Sequence, residues 1–199
     1  MALRQISSPL SPETARSLKT GDRVLVSGRI VTARDQVHKY LASGGKSPID
    51  LSGTILYHCG PVVIREDSSW RVIAAGPTTS MREEPYEAGL IRTYHPGAIM
   101  GKGGMGQNTL KALKEEGCVY LHLTGGAASY IARSIESVEE VHLLEFGQPE
   151  AMWVLKVSNL PALVTMDSFG NSLHADVESN SLQILKELLK TPFHRKSHS

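Results

Sequence analysis

The 199-residue sequence predicts one α/β domain, and three observations carry that prediction. Short apolar runs of strand length alternate with stretches of helical periodicity, the pattern of strands covered by helices. Three of the strands lead into a Gly-rich or Gly-Pro turn and then into a helix: Trp70 to Ala75, Ala98 to Met100, and Cys118 to Leu123. Finally, no repeat, low-complexity tract or long linker divides the chain, so residues 1–199 read as a single domain with a lead-in over about 1–20 and a polar tail over 192–199.

In order, Ser11-Pro12-Glu13-Thr14 opens a short helix through Leu18, with Pro in the first turn and an acid near the helix N-terminus. Val24, Val26 and then Ile30-Val31 form a largely buried strand that ends at Thr32-Ala33-Arg34-Asp35. The helix Asp35 to Leu41 follows, with Val37, Tyr40 and Leu41 at i, i+3 and i+4. Gly53 to His58 is a strand stopped by Cys59-Gly60-Pro61, and Val62 to Ile64 pairs with Arg71 to Ala75 across the polar tip Glu66-Asp67-Ser68-Ser69. Glu83 to Ile91 is an irregular helical segment, because Pro85 is tolerated only near a helix start. After the strand Ala98 to Met100 comes a helix from about Thr109 to Glu116. Gly125-Gly126-Ala127-Ala128 starts a helix expected to run through Ile135. Val138 to Leu144, Met152 to Val157 and Ala162 to Met166 are strand candidates, and Val177 to Lys190 is an amphipathic helix.

Charge and cysteine content narrow the functions. Twenty-one basic residues oppose twenty acidic ones, a net charge of +1, so no global field recruits nucleic acid or a membrane surface. No segment approaches about 20 apolar residues and the N-terminus lacks an apolar signal core, which predicts neither secretion nor membrane spanning. Cys59 and Cys118 are too few and too far apart for a disulfide framework or a zinc site, so reduced thiols and a cytoplasmic location are expected, with no metal ligands on this chain.

The chemistry concentrates at the strand-to-helix turns. In Gly76-Pro77-Thr78-Thr79-Ser80-Met81-Arg82, three hydroxyls suit a helix N-cap whose amides face an anion, and Arg82 one turn later can clamp a carboxylate. An ordinary Thr-capped helix is the plain alternative. Arg34 is a cation at a helix N-terminus, unfavourable unless an anion joins it. Gly101-Lys102-Gly103-Gly104-Met105-Gly106 follows a strand and precedes a helix, the plan of an anion cradle, although its Lys precedes most of its glycines and no nucleotide-binding spacing is met. Asp35, one residue past Arg34, reads as a dipole-complementing acid, and His38 with Lys39 as a solvated helix face. The C-terminal ends of strands in an α/β sheet converge on a crevice, which would gather Arg34, Thr78, Arg82 and Lys102 into a site for a small dicarboxylate. Removing a carbon-bound proton beside a carboxylate also requires a base. By side-chain chemistry alone His38 or His58 ranks above Thr78, since a threonine hydroxyl is a poor base without a proton acceptor or a cation beside its alkoxide.

These stretches, together with Thr32-Ala33-Arg34-Asp35, His38-Lys39, His58-Cys59-Gly60-Pro61, Gly125 to Ala128, Pro149-Glu150-Ala151-Met152-Trp153 and Asp167 to Asn171, resemble the β subunit or C-terminal domain of class I fumarases and of the related L-tartrate dehydratase. The resemblance runs in order through residues 20–175 and implies a swivelling β/β/α fold. It further implies a hydro-lyase with a [4Fe-4S] cluster that holds its substrate through the iron lacking a cysteine ligand. By the same resemblance Thr78 is the catalytic base, Arg34, Arg82 and Lys102 bind the substrate carboxylates, and Asp35, His38, Gly101, Gly103 and Gly104 support them. Glu83 departs from the family, where a methionine often follows the arginine. Three cluster thiolates are needed and this chain has two cysteines, which assigns the cluster to a partner α subunit within a heteromer, itself expected to form a higher oligomer. Fumarate hydration to malate is the leading expectation. L-tartrate dehydration and a non-catalytic anion-binding assembly module are the alternatives.

Overall fold

The computed structural model describes residues 3–67 and 69–190; the expected polar tail lies outside these residues. The described chain is a mixed α/β domain of nine strands and six α-helices. Four parallel strands form its centre: β2 (Arg23–Ala33), β3 (Ile55–His58), β6 (Ala98–Gly101) and β7 (Val119–His122), adjacent in that order. Each short strand is buried on both faces, as parallel strands are, with one side against the sheet interior and the other under helices.

β9 (Met152–Met166) closes this sheet. It runs antiparallel and pairs with β2 along Arg23 to Val31, while its last residues pair with β7 and its first half pairs with β8 (Ile135–His142). The two edges β2 and β7 are thereby joined through one strand into a ring. The sequence pattern suggested two strands here because Ser158 and Asn159 interrupt the apolar run. They form one strand that kinks instead: Asn159 has φ 51°, its amide donates to Ser27 Oγ, and the register with β2 shifts between Val26 and Gly28.

Two expectations change at the periphery. The lead-in contains β1 (Leu3–Ser8), a parallel edge strand on β2, followed by α1 (Pro12–Ser17), whose Ser11 cap accepts from Thr14 N. The helix expected to reach Ile135 is only α5 (Ala128–Ala132), and Ile135 instead begins β8. The every-third spacing of Ile135, Val138 and Val141 imitates a helix. Two register bulges in β8 each insert one residue, so all three still pack on the same core.

One apolar cluster fills the ring beneath the β4–β5 hairpin (Val62–Glu66 and Ser69–Ala74), with Trp153 fully buried edge-to-face on Trp70 at 5.3 Å. The second lies under α2 (Asp35–Ala42), α3 (Glu84–Tyr94) and α4 (Gln107–Glu116). Helix α6 (Leu173–Lys190) starts against the glycine loop and extends with no buried residue. No helix among the described residues is long and apolar enough to cross a membrane.

Candidate active site

The parallel strands β2, β3, β6 and β7 end at one edge, and the predicted site residues follow their last residues. Arg34 comes immediately after β2 and Lys102 immediately after β6. The segment Pro77 to Ser80 runs between the ends of β3 and β6 and is sewn to both. Thr78 N donates to the His58 carbonyl at 2.8 Å, Lys102 N to the Thr78 carbonyl at 3.3 Å, and Ser80 N to the Lys102 carbonyl at 3.0 Å. Thr78 is therefore fixed by main-chain bonds rather than by a capping role. The following turn is a 3-10 helix over Ser80–Glu83, and its N-cap, Thr79, makes no side-chain cap bond. The expected three-hydroxyl anion cap is thus absent: Ser80 Oγ is turned inward and is buried. Thr78 Oγ1 is buried and has no hydrogen-bond partner, a costly state for a hydroxyl that nothing outside this chain satisfies.

The cations differ in their partners. Arg82 pairs with Asp35, tying the turn after β5 to the start of α2. Arg34 Nε lies 3.4 Å from Glu150 Oε1, while Glu150 Oε2 accepts from Gln36 N in the first turn of α2. The anion that a cation at this helix start requires is thus supplied by the chain itself. The Arg34 guanidinium also lies across Gly60, where a Cβ would come within 2.5 Å of Nη1. Lys102 makes no ion pair among the described residues, and its side chain extends past Gly125, whose Cβ would sit 3.8 Å from Nζ. Of the predicted binding residues, Lys102 alone is free of an internal carboxylate.

The glycine loop corrects one expectation. The N-terminus of α4 already holds an anion: Glu84 Oε2 accepts from Gly106 N at 2.7 Å and from the Thr109 hydroxyl at 2.7 Å, with Oε1 3.3 Å from Thr109 N. A Cβ on Gly106 would meet that carboxylate at 2.6 Å. The loop's amides at this helix start serve an internal carboxylate rather than a ligand. The other glycines have separate reasons. A Cβ on Gly101 would overlap the Ser80 hydroxyl, one on Gly104 (φ 75°) would overlap the His174 ring, and Gly103 (φ 82°) borders open space.

The histidines are not solvated. His38 and His58 are both fully buried, and their Nε2 atoms lie 2.9 and 3.0 Å from the same oxygen, Glu87 Oε2. His38 Nδ1 donates to the Arg34 carbonyl at 3.0 Å. His58 Nδ1 lies 2.8 Å from Ser80 Oγ, which in turn lies 2.7 Å from the Tyr120 hydroxyl. The solvated face expected for His38 is therefore wrong, because the helix turns that residue onto α3. Neither ring has a free nitrogen for a substrate. Burial opposes charge on His38, but the Glu87 carboxylate outweighs it and raises the pKa to about 8, whereas burial dominates at His58 and lowers its pKa. Burial also works against the Glu87 carboxylate, yet the two imidazoles hold it down to about 2. Glu83, buried beside Asp35, is raised to about 7 by burial. Glu87 escaped the sequence reading although a signal existed: Glu83, Glu87, Leu90 and Ile91 fall at i, i+4, i+7 and i+8, an apolar stripe carrying two acids.

The thiols provide a test for a cluster. Cys59 and Cys118 are both buried, and burial pushes the Cys59 thiol up to about 12 and the Cys118 thiol well above its ordinary value. A cluster is held by at least three thiolates, and this chain has two cysteines, both buried where ionisation is opposed, so its thiols do not make a cluster site.

Comparison with known proteins places this arrangement. The family described as the fumarase C-terminus matches residues 3–177. The chain belongs to that family. A Geobacillus stearothermophilus protein provisionally named a class I fumarate hydratase is 54% identical over 189 residues, 94% of this chain and 37% of the relative, so the chain spans little more than a third of that protein. A Methanocaldococcus jannaschii protein provisionally named the β subunit of L(+)-tartrate dehydratase is 41% identical over 90% of this chain and 95% of its own length. The L(+)-tartrate dehydratase β subunit of Escherichia coli is 35% identical over 86% of each chain.

Proposed function

We propose that this member of the fumarase C-terminus family is the β half of an iron–sulfur hydro-lyase that interconverts fumarate and (S)-malate. The observation that carries the reading is Thr78 Oγ1, buried without a partner in a loop held between the ends of β3 and β6, with Arg34, Arg82 and Lys102 on the adjoining turns. In this reading the substrate supplies the partner that the hydroxyl lacks within the chain. The swivelling β/β/α fold type belongs to the same reading, supported by the closed sheet and the family match.

In this proposal Arg34, Arg82 and Lys102 bind the two substrate carboxylates and neutralise the charge that develops as the carbon-bound proton leaves. Thr78 Oγ1 takes that proton from carbon in the malate-to-fumarate direction as its alkoxide, held by the cations of the adjoining turns after its hydroxyl proton has passed to solvent, and returns the proton to carbon in hydration. Arg82 would exchange part of its Asp35 pair for substrate, and Arg34 would keep Glu150 behind it as a positioning anion. The cluster, which would supply Lewis-acid activation of the hydroxyl to be lost, would be held by an α subunit, because two cysteines cannot supply its thiolates. L-tartrate dehydration is the second reading. It is favoured by the 95% and 86% coverage of the tartrate dehydratase β subunits, and fumarate hydration by the higher identity of the Geobacillus relative.

The pair Thr78→Ala and His38→Gln, each assembled anaerobically with the α subunit, tests the assignment. Thr78→Ala is expected to lower kcat by about 10²-fold or more with KM nearly unchanged, the scale of a lost general base. An active Thr78→Ala enzyme beside a His38→Gln enzyme that binds substrate but does not turn over would sink it.

A further inference from the structure

The buried array around Glu87 joins three of the turns that carry the site, and neither the family match nor the named relatives gives it a role. We propose that Glu87 is a positioning residue of the site: its carboxylate, acting through His38 and His58, fixes the main chain at Arg34 and Thr78. The inference rests on the proposed hydro-lyase reading.

The geometry is specific. Glu87 comes from α3, His38 from α2 and His58 from the end of β3, and all three are fully buried. One carboxylate oxygen, Oε2, receives both Nε2 contacts, at 2.9 and 3.0 Å, while Oε1 is buried without a partner. Behind each ring stands a site residue. His38 Nδ1 donates to the carbonyl of Arg34, and the carbonyl of His58 accepts from the amide of Thr78. His58 Nδ1 lies 2.8 Å from Ser80 Oγ, and the Ser80 amide donates to the carbonyl of Lys102.

Proton assignment follows from donors and acceptors. The Arg34 carbonyl can only accept, so His38 carries a proton on Nδ1. An ionised Glu87 can only accept, so His38 carries a second proton on Nε2 and is an imidazolium. His58 also donates from Nε2 to Glu87; burial and the charged His38 ring beside it oppose a second proton, so this ring is the neutral Nε2–H tautomer and its Nδ1 accepts from the Ser80 hydroxyl at 2.8 Å. Ser80 in turn accepts from the Tyr120 hydroxyl at 2.7 Å. Glu87 and His38 cancel in charge within a dry layer, with Glu83 Oε2 also facing His38 Nδ1 at 3.7 Å but held protonated up to about 7 by burial, so losing the Glu87 charge strands the His38 proton. The same three residues could be read as a metal-ligand set, since their donor atoms lie within 4.8 Å of one another. The shared oxygen at hydrogen-bond distance from both rings favours protons over an ion.

The test reads the array with and without substrate. Ring-labelled histidine resonances of the full chain should show one ring doubly protonated through pH 7 and one fixed as the Nε2–H tautomer, with no stoichiometric divalent metal by elemental analysis. In Glu87→Gln the doubly protonated ring should become neutral at pH 7. The assembled variant should lose at least tenfold in kcat, with KM within about threefold, because the carboxylate-binding side chains remain. If Glu87→Gln does not fold, Glu87→Asp keeps the charge and withdraws the carboxylate by one methylene; it should lower kcat with KM held. A folded Glu87 variant with wild-type kcat, a wild-type chain whose two buried rings are both neutral at pH 7, or one equivalent of bound metal would overturn the proposal. An inactive wild-type complex whose ring titration is as expected would instead point to failure of the hydro-lyase reading.

Discussion

Arg82, proposed to bind a substrate carboxylate, is held by Asp35 without being used up. Its pair with Asp35 is half-exposed and worth at most about 1 kcal/mol to stability. That small cost lets a substrate carboxylate replace part of the contact. A lysine at this position would keep the Asp35 pair but lose the planar fork that binds a carboxylate through two N–H groups. Arg82→Lys is therefore expected to leave the melting temperature within error and to reduce kcat/KM by about 2–4 kcal/mol of transition-state binding. An unchanged kcat/KM in the assembled enzyme would make Arg82 a surface partner of Asp35 and nothing more. At this scale the sequence placed the cations beside the strand ends but not the internal carboxylates, Glu150 and Asp35, that pair two of them. It was least informative about His38, because a single helical turn decides whether that ring meets solvent or Glu87, and the local pattern around Val37, Tyr40 and Leu41 does not distinguish the two.

The glycine loop and α4 make the corresponding point for elements. A strand, a glycine-rich turn with lysine and a helix were legible, but the anion at the helix start came from Glu84, more than twenty residues earlier and across the α3–α4 packing. No local spacing encodes that contact. Glu84→Ala removes a carboxylate serving the N-cap amide of Gly106 and the first-turn amide and hydroxyl of Thr109, and should cost about 1–3 kcal/mol of stability in denaturant unfolding. If the melt does not change, the amides are served by water and the loop is open to a ligand anion after all. Strand β9 carries a different lesson. Its two apolar halves were seen in the sequence, whereas their continuity was not, because Ser158 and Asn159 resemble a turn until their amides are accepted by Ser134, in the turn before β8, and by Ser27 of β2. Trp153→Ala, in the first half of β9, removes the largest side chain buried in the ring and should cost about 3–5 kcal/mol.

For the molecule as a whole, the buried acids and histidines set a pH dependence. Glu87 has its pKa lowered from 4.5 to about 2, so its contribution is present above 4.5 and is lost as pH falls toward 2. His38 is raised from 6.5 to about 8, so its contribution is present below 6.5 and is lost as pH rises through 8. Glu83 is raised from 4.5 to about 7, and ionising it beside Asp35 and Glu87 also weakens the fold as pH rises through that interval. The melting temperature should thus be highest near pH 5–6 and fall toward pH 9, and Glu83→Gln should flatten the part between 4.5 and 7; a melting temperature that climbs steadily to pH 9 would contradict these assignments. The α/β class and the gathering of Arg34 and Lys102 at the ends of parallel strands followed from the order of strands and turns. The closure of the sheet by β9 and the buried Glu87 array did not, since both depend on contacts between distant elements. The central claim is that this chain contributes the cationic edge and Thr78 to a site whose cluster lies on another polypeptide. The direct measurement is to purify this chain alone, the α subunit alone and their complex under anaerobic conditions, and to measure iron, sulfide and turnover of fumarate, malate and both tartrates in each. The account predicts a colourless, iron-free, inactive chain and a brown complex that interconverts fumarate and malate. A brown preparation of this chain alone that turns over a dicarboxylate, or an α subunit fully active without it, would contradict the claim.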